Sequence, residues 1–465
     1  MNHLATTRPS PVAALDRAFQ ARSVAVIGAS STPGKLGNLL VKVMLESGHP
    51  GQIHPINRTA TEVLGLRTWR SLLDVPGPVD VAVTVVPAQE MMAALQDCAA
   101  KGVPMVAAMT SGFAEAGDSG RQLQADLERF LQTAPFRLLG PNCEGYVVPV
   151  VKNFVTFSPM PLGAVPGRVA VVAQSGAISG AIVNRLGRMG VGIRVLLTTG
   201  NECDITAADA LEWFAADPDT TTIVCYLEQI RDAARFVAAA RGMAGKKAII
   251  VQKPGSGQAS REAMTTHTGA IAGDSRVVEG VFEELRIVRA HDHTAAADAA
   301  AALSLGKRLH GLKVAIVSIA GGLAVEACEL CEAAGFEVPR FEAAVQAKIG
   351  AALPYFAALR NPVDLTGVAL SSPAMFRDVI QVVLDHGGVD ALIVVITFSH
   401  QTGFADVLLA AARESGKPVI VVWTAPESLT PGPLAAFRAA GFPVFDSPVR
   451  AVTALRAMAR VAGLL

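Results

Sequence analysis

The sequence predicts an α/β protein built from three doubly wound parallel-sheet domains. Three observations carry that prediction. Three segments open alike and at even spacing along the chain: VAVIGAS from Val24, VAVVAQSG from Val169 and VAIVSIAGG from Val314. Each apolar run passes through a Gly/Ser-rich turn into a helical pattern that ends near a glycine, Gly48, Gly190 or Gly335. Glycine is the residue that best accepts the left-handed position after a helix. A second strand-like run then follows in each case, QIHPIN, GIRVLLTTG or FEVPRFE. Strand, turn, helix, strand is the pattern of parallel βαβ units. A period this long means duplicated domains, since solenoid repeats are far shorter. Boundaries are expected in the Pro-rich stretch Val147 to Gly167 and near His310 to Lys313, which gives domains 1–147, 148–308 and 309–465.

Each domain continues with apolar runs that end in small, turn-forming residues. The first has VDVAVTVVPA from Val79, GVPMVAAMTSGF from Gly102 and FRLLGPNCEG from Phe136. The second has VLLTTGNECD from Val195, TIVCYLEQI from Thr222 and KAIIVQKPGSG from Lys247. The third has ALIVVITFS from Ala391 and KPVIVVWTAP from Lys417. In such sheets ligands bind outside the carboxyl ends of the strands. The second domain should therefore gather Gln174 to Ala177, Gly200, Asn201, Glu228 and the stretch after Val251 at one edge.

Composition narrows the function classes. At 465 residues the chain is too long for one core. Forty basic residues balance forty acidic ones, and aromatics make up 5%. Both facts argue against a nucleic-acid footprint, and the neutral charge against an anionic membrane surface. Hydrophobic residues reach 51%, yet no apolar run approaches the ~20 residues that span a bilayer. The excess is Ala, Val and Leu in short runs, as fully buried parallel strands require. The first residues lack the apolar core of a signal peptide. Six scattered cysteines form neither a zinc pattern nor a disulfide framework, so a reduced, cytoplasmic setting is expected.

GASSTPGKLG, Gly28 to Gly37, reads as a phosphate-binding turn at a helix N-terminus. It matches neither the dinucleotide fingerprint nor the P-loop spacing. The second strand ends in Asn57-Arg58, where an NAD site wants an acid for the ribose hydroxyls. Lys35 and Arg58 instead favour a ligand with phosphate near its ribose, a property of both NADP and coenzyme A. GPNCEG, Gly140 to Gly145, reads as a backbone clamp beside that ligand, and no histidine lies near Cys143 in sequence to activate it. QSGA, Gln174 to Ala177, misses the first glycine of the hydrolase elbow and suits amides that hold phosphate.

The stretch Gly255 to Gly273 is rich in small and polar residues and reads as a loop carrying His267. Imidazole serves as general base, metal ligand or phosphoryl-accepting nucleophile. No other His, Cys, Asp or Glu lies within four residues of His267, so no metal is expected there. Glu228, at the end of an apolar strand, is placed to hydrogen-bond one imidazole nitrogen and leave the other nucleophilic, or simply to cap or pair.

Taken together, SSTPGKLG, VPA, SGFAE, GPNCEG, QSGA, the GN of TTGN, YLE, THTGAIAG and NPVDLTG (Asn361 to Gly367) resemble the NDP-forming acyl-CoA synthetases, which include the succinyl-CoA ligase α subunits. The resemblance implies a Rossmann-like CoA-binding domain followed by two flavodoxin-like, succinyl-CoA-ligase-type domains. It implies that His267 is the phosphorylated histidine and Glu228 its carboxylate partner. Gly28, Ser30, Gly34, Lys35, Asn57, Val86, Pro87, Ser111 and Asn142 would lie along coenzyme A, with Gln174, Ser175, Gly176 and Ala177 binding phosphate. It further implies an ADP-forming ligase acting on a small carboxylic acid and its acyl-CoA. Arg58 departs from the family, which usually has proline there. No stretch suggests the family's ATP-grasp domain, so an α-type subunit is expected, in a hetero-oligomer whose β-type partner binds ATP or ADP and Mg2+. Two other classes compete: a non-catalytic CoA-sensing regulator and an NADP-linked oxidoreductase.

Overall fold

The computed structural model describes residues 8–268 and 275–465, without the side chains of 265–268, 370 and 371. Helix α1 (Pro11–Phe19) opens it; the Ser10 hydroxyl accepts from the Ala13 N–H at 3.2 Å, and Pro11 suits the first helical position. The first sheet comprises β1 (Ser23–Ile27), β2 (Gln52–Ile56), β5 (Val81–Thr84), β6 (Met105–Ala108) and β7 (Arg137–Leu139), all parallel in the order β2-β1-β5-β6-β7. A short hairpin, β3 (Glu62–Val63) and β4 (Leu66–Arg67), lies outside it. Helices α2 (Leu36–Glu46), α3 (Ala88–Lys101) and α4 (Asp118–Leu131) connect the strands. Every residue of β5 and β6 is buried, which is why both read as unbroken small apolar runs.

The second sheet contains β8 (Tyr146–Val148), β9 (Asn153–Val155), β10 (Pro166–Ala173), β11 (Ile193–Thr198), β12 (Thr222–Tyr226), β13 (Ala248–Gln252) and β14 (Val288–Ala290). Their order is β14-β13-β12-β10-β11-β8-β9. Strands β8 and β9 form an antiparallel hairpin on its edge, so the boundary expected at 147/148 falls inside β8. The helices are α5 (Gly176–Arg188), α6 (Ala207–Ala216), α7 (Ala233–Met243), α8 (Gln258–Thr268), α9 (Ser275–Glu284) and α10 (His293–Ser304). Helix α8 corrects the loop expected from Gly255 to Gly273. Gln258, Ala259, Arg261, Glu262, Ala263 and Met264 are good helix formers, and buried Met264 anchors them. The rest of that stretch, 269–273, lies outside the described residues.

The third sheet runs β16-β15-β17-β18-β19, all parallel, from β15 (Val314–Ser318), β16 (Val363–Asp364), β17 (Ala391–Ile396), β18 (Val419–Trp423) and β19 (Val444–Phe445). Helices α11 (Gly321–Ala333), α12 (Ala343–Gly350), α13 (Pro373–Asp385), α14 (Gly403–Glu414), α15 (Pro431–Ala439) and α16 (Pro448–Ala462) accompany it. Alternate residues feed two cores: Val317, Leu392, Val394 and Val421 one, Ile316, Ile393, Val395 and Val422 the other. FEVPRFE is not the second strand here. It contributes a single bridge, Glu337 with Lys313, and Pro339 has no N–H to continue a ladder. Asn361 fills the vacant edge: its amide accepts from Ile316 N at 2.9 Å and donates to the Val314 carbonyl at 2.8 Å, just before β16.

The three sheets fall into two compact units, the first holding residues up to 184, 193–285 and 289–293, the second holding 185–192, 286–288 and 294–465. No helix among the described residues is long and apolar enough to cross a membrane.

Candidate active site where the first two sheets meet

At the carboxyl edge of the first sheet, β1 passes into α2 through an exposed turn. Gly28 has φ +93, and a Cβ there would lie 2.7 Å from the Val85 carbonyl oxygen. A Cβ on Gly37 would lie 2.2 Å from the Gly28 carbonyl, so strand and helix meet too closely for any side chain. Gly34 has φ +84 in open space. Residues 31–36 are exposed, Lys35 holds the N-cap position, and no side chain caps α2. Beside the turn, Asn57 ties two loops: its amide donates to the Ala29 carbonyl at 2.7 Å and accepts from the Thr59 and Ala60 N–H groups. The Ser30 carbonyl accepts from Asn38 at 2.9 Å. Arg58 pairs with Glu90 at 3.1 Å on the surface. Half-buried Val86 and exposed Pro87 lead into α3, and Ser111 is exposed on the loop after β6.

The loops of the two sheets interlock. Segment 201–205 runs along the end of β7: Asn201 N–H donates to the Pro141 carbonyl at 2.9 Å, Cys203 to Gly140 at 3.0 Å and Ile205 to Leu138 at 3.0 Å. A Cβ on Gly200 would lie 2.2 Å from the Pro141 carbonyl oxygen and 2.6 Å from that of Asn142. Asn142, at φ +58, donates its side-chain amide to Asn201 at 3.4 Å. Asn201 is 2% exposed and donates to Glu115 at 2.7 Å and Gln124 at 3.0 Å. Asp204 accepts from Arg137 at 2.9 Å. Cys143 is buried with its thiol on the Ala108 carbonyl, and burial pushes that thiol up to about 12. A thiol so placed is part of the packing.

At the carboxyl edge of the second sheet, Gln174 joins two expected site elements. Its side-chain oxygen accepts from the Glu228 and Gln229 N–H groups at 2.7 and 3.0 Å, and its amide donates to the Gln229 carbonyl. Its backbone N–H bonds the Tyr226 carbonyl. Gln174 is thus a tie, and the amides that begin α5 are those of Ser175, Gly176 and Ala177. Glu228 is 2% exposed, with the Tyr226 hydroxyl 3.4 Å from its carboxylate. His267 lies in the last turn of α8, which follows β13, the neighbour of the strand that delivers Glu228; its side chain lies outside the described residues.

Three charged groups of this edge were not singled out in the sequence. A Cβ on Gly176 would lie 2.1 Å from the Glu144 carboxylate carbon, so an acid faces the start of α5. Burial raises the pKa of Glu144, against a hydrogen bond from Ser158. Glu202 accepts from the Thr199 hydroxyl at 2.9 Å and the Ala207 N–H at 3.0 Å, and burial pushes it up to about 7. Lys253, 8% exposed, donates to the Glu228 carbonyl at 2.6 Å, its pKa lowered by burial and then by Arg289. A charge in a glycine-rich turn gives no local sign that it is buried, so only Lys253, just past a strand end, could have been suspected.

Two interlocked sheets with glycine turns and buried charged groups along their carboxyl edges mark an α/β protein whose ligand site lies at those edges. Residues 22–149 match the CoA binding domain family, and residues 166–303 match the succinyl-CoA ligase like flavodoxin domain. The chain is 33% identical to the α subunit of ADP-forming acetate–CoA ligase I of Pyrococcus furiosus, over 96% of this chain and 97% of that one. It is 31% identical to ADP-forming acetate–CoA ligase I of Archaeoglobus fulgidus, over 96% of this chain and 63% of that longer one. The structure of dinucleotide-forming acetyl-coenzyme A synthetase 1 of Ca. Korarchaeum cryptofilum, in complex with phosphate and ADP, superposes with a TM-score of 0.86 at 30% identity, over 97% of each chain. The chain belongs to the NDP-forming acyl-CoA synthetases, the family of the ADP-forming acetate–CoA ligases.

Proposed function

We propose that this chain is the α-type subunit of an ADP-forming acyl-CoA synthetase. It would interconvert acyl-CoA, ADP and phosphate with carboxylic acid, ATP and CoA. The observation that carries the reading is the interlock of the two loops, Gly200-Asn201 against Pro141-Asn142. That contact brings the edge suited to coenzyme A against the edge that carries Glu228 and α8. The first edge fits the substrate: an uncapped helix start, Lys35 and the close turn at Gly28 suit a pyrophosphate. Ser30, Gly34, Asn57, Val86, Pro87, Ser111 and Asn142 border the same edge.

In the cleavage direction, a phosphate oxygen attacks the thioester carbonyl, the C–S bond breaks, and CoA leaves as thiolate. The acyl phosphate then loses its phosphoryl group to an imidazole nitrogen of His267, which frees the carboxylate. ADP receives that group and becomes ATP. Within this chain, Glu228 orients the imidazole, and the first amides of α5, at Ser175, Gly176 and Ala177, face the transferring group's negative charge. Mg2+ would neutralise nucleotide phosphates on the partner. The P. furiosus relative is named as an α subunit, which supports a separate partner chain, and the family resemblance gives that partner the ATP-grasp domain. The test is reconstitution. Chain plus ATP-grasp partner should make acyl-CoA from ATP, acid and CoA, and the chain alone should not. Brisk ATP-dependent synthesis by partner-free chain would contradict the reading.

A further inference from the structure

Resting on that reading, we infer that Glu115 is a positioning residue that couples the coenzyme A loop to the phosphoryl-transfer edge. Glu115 lies in a short 3-10 turn, Ala114–Ala116. One carboxylate oxygen accepts from the Gly112 and Phe113 N–H groups at 2.6 and 3.1 Å. Those amides follow Ser111, and Gly112 has φ +103, so the carboxylate holds the turn that presents Ser111. The other oxygen accepts from the Asn201 side chain at 2.7 Å. Asn201 in turn follows Gly200, the residue pressed against Pro141 and Asn142. The same 3-10 turn packs on α8, the helix of His267. Glu115 therefore joins the Ser111 loop of one sheet to the Asn201 turn of the other, and stands on an element packed against the histidine helix.

Only an acceptor with two free oxygens satisfies this arrangement. Glutamine keeps one oxygen for Gly112 and Phe113 and turns an NH2 towards the NH2 of Asn201, donor against donor. The link between sheets is lost while the loop's own anchor survives. Replacing Asn201 with aspartate as well restores this link with reversed polarity, at the cost of the bond that Asn201 donates to the Gln124 side-chain oxygen. These pairs form a double-mutant cycle.

The test is amide hydrogen exchange of the full chain with and without coenzyme A, followed by turnover with the ATP-grasp partner. In the wild type, coenzyme A should slow exchange both in residues 110–113 and in 199–205. Glu115→Gln should retain protection of 110–113, lose that of 199–205, and lower kcat at least tenfold with KM for CoA changed less than threefold. Glu115→Gln with Asn201→Asp should regain both the distant protection and most of kcat. Should Glu115→Gln fail to fold, Asn201→Ser, which removes the bond donated to Glu115 together with that to Gln124 and the one accepted from Asn142, must show the same loss. Protection of 199–205 that is absent in the wild type, or intact in Glu115→Gln, overturns the coupling, as does a double variant no better than the single. A wild-type chain that binds no coenzyme A overturns the functional reading itself, a separate and recognisable result.

Discussion

Glu202 is 2% exposed, and its backbone is held at φ +54 by the turn that carries Asn201. Burial moves its carboxyl from 4.5 to about 7. Between those pH values the folded chain keeps a proton that the unfolded chain has released. Stability from this group is therefore fully present below pH 4.5 and is lost as pH rises through about 7. The loss amounts to about 3 kcal/mol. Thermal melts from pH 5 to 7.5 should show the wild type losing more stability than Glu202→Gln, whose amide oxygen still accepts from Thr199 and Ala207. Equal slopes would contradict the assignment. Glu144 makes the second residue-scale case. Its carboxylate faces the start of α5, where a phosphate would have to approach a like charge. Glu144→Gln should lower KM for phosphate in acyl-CoA cleavage by about three- to tenfold, and the wild-type KM should fall as pH is lowered through the pKa that burial raises. An unchanged or higher KM in the variant would rule this out.

At the scale of elements, close contacts fix the turns. Gly200→Ala would place a Cβ 2.2 Å from the Pro141 carbonyl oxygen at φ +55, and should cost about 2 kcal/mol or more in denaturant unfolding. Gly34→Ala, at φ +84 with nothing within 4 Å, should cost about 1 kcal/mol. Equal costs would show that contact with Pro141 does not matter. The same physics explains what the sequence disclosed. Strands β1, β10, β15 and their neighbours were legible because burial on both faces writes them as Val, Ala and Ile runs. Strand β16 was not, because it is two residues long and Asn361 stands in for ladder bonds with its side chain. Helix α8 reads as a loop in the sequence because small residues crowd it, although Gln258, Arg261, Glu262 and buried Met264 favour a helix. Of the site, the glycine turns could be read from sequence, since only glycine tolerates those approaches. Glu115, Glu144 and Glu202 could not, since their roles depend on loops from other strands.

The whole molecule joins three similar sheets, yet the proposed chemistry uses chiefly the edges of the first two. On the proposed reading, one edge would bind coenzyme A, the other would supply Glu228, the α5 amides and His267, and Glu115 with Asn201 would couple them. A histidine that acted only as a base would never carry phosphate. One that relays a phosphoryl group to a nucleotide site on another polypeptide must hold it between two half-reactions. The most direct measurement is therefore the fate of labelled ATP added to the chain with its ATP-grasp partner. Acid-labile, base-stable phosphate should appear on His267, with label and turnover both abolished by His267→Ala while coenzyme A binding persists. Near-normal turnover by His267→Ala, or a turning-over wild type that never acquires label on His267, would contradict it.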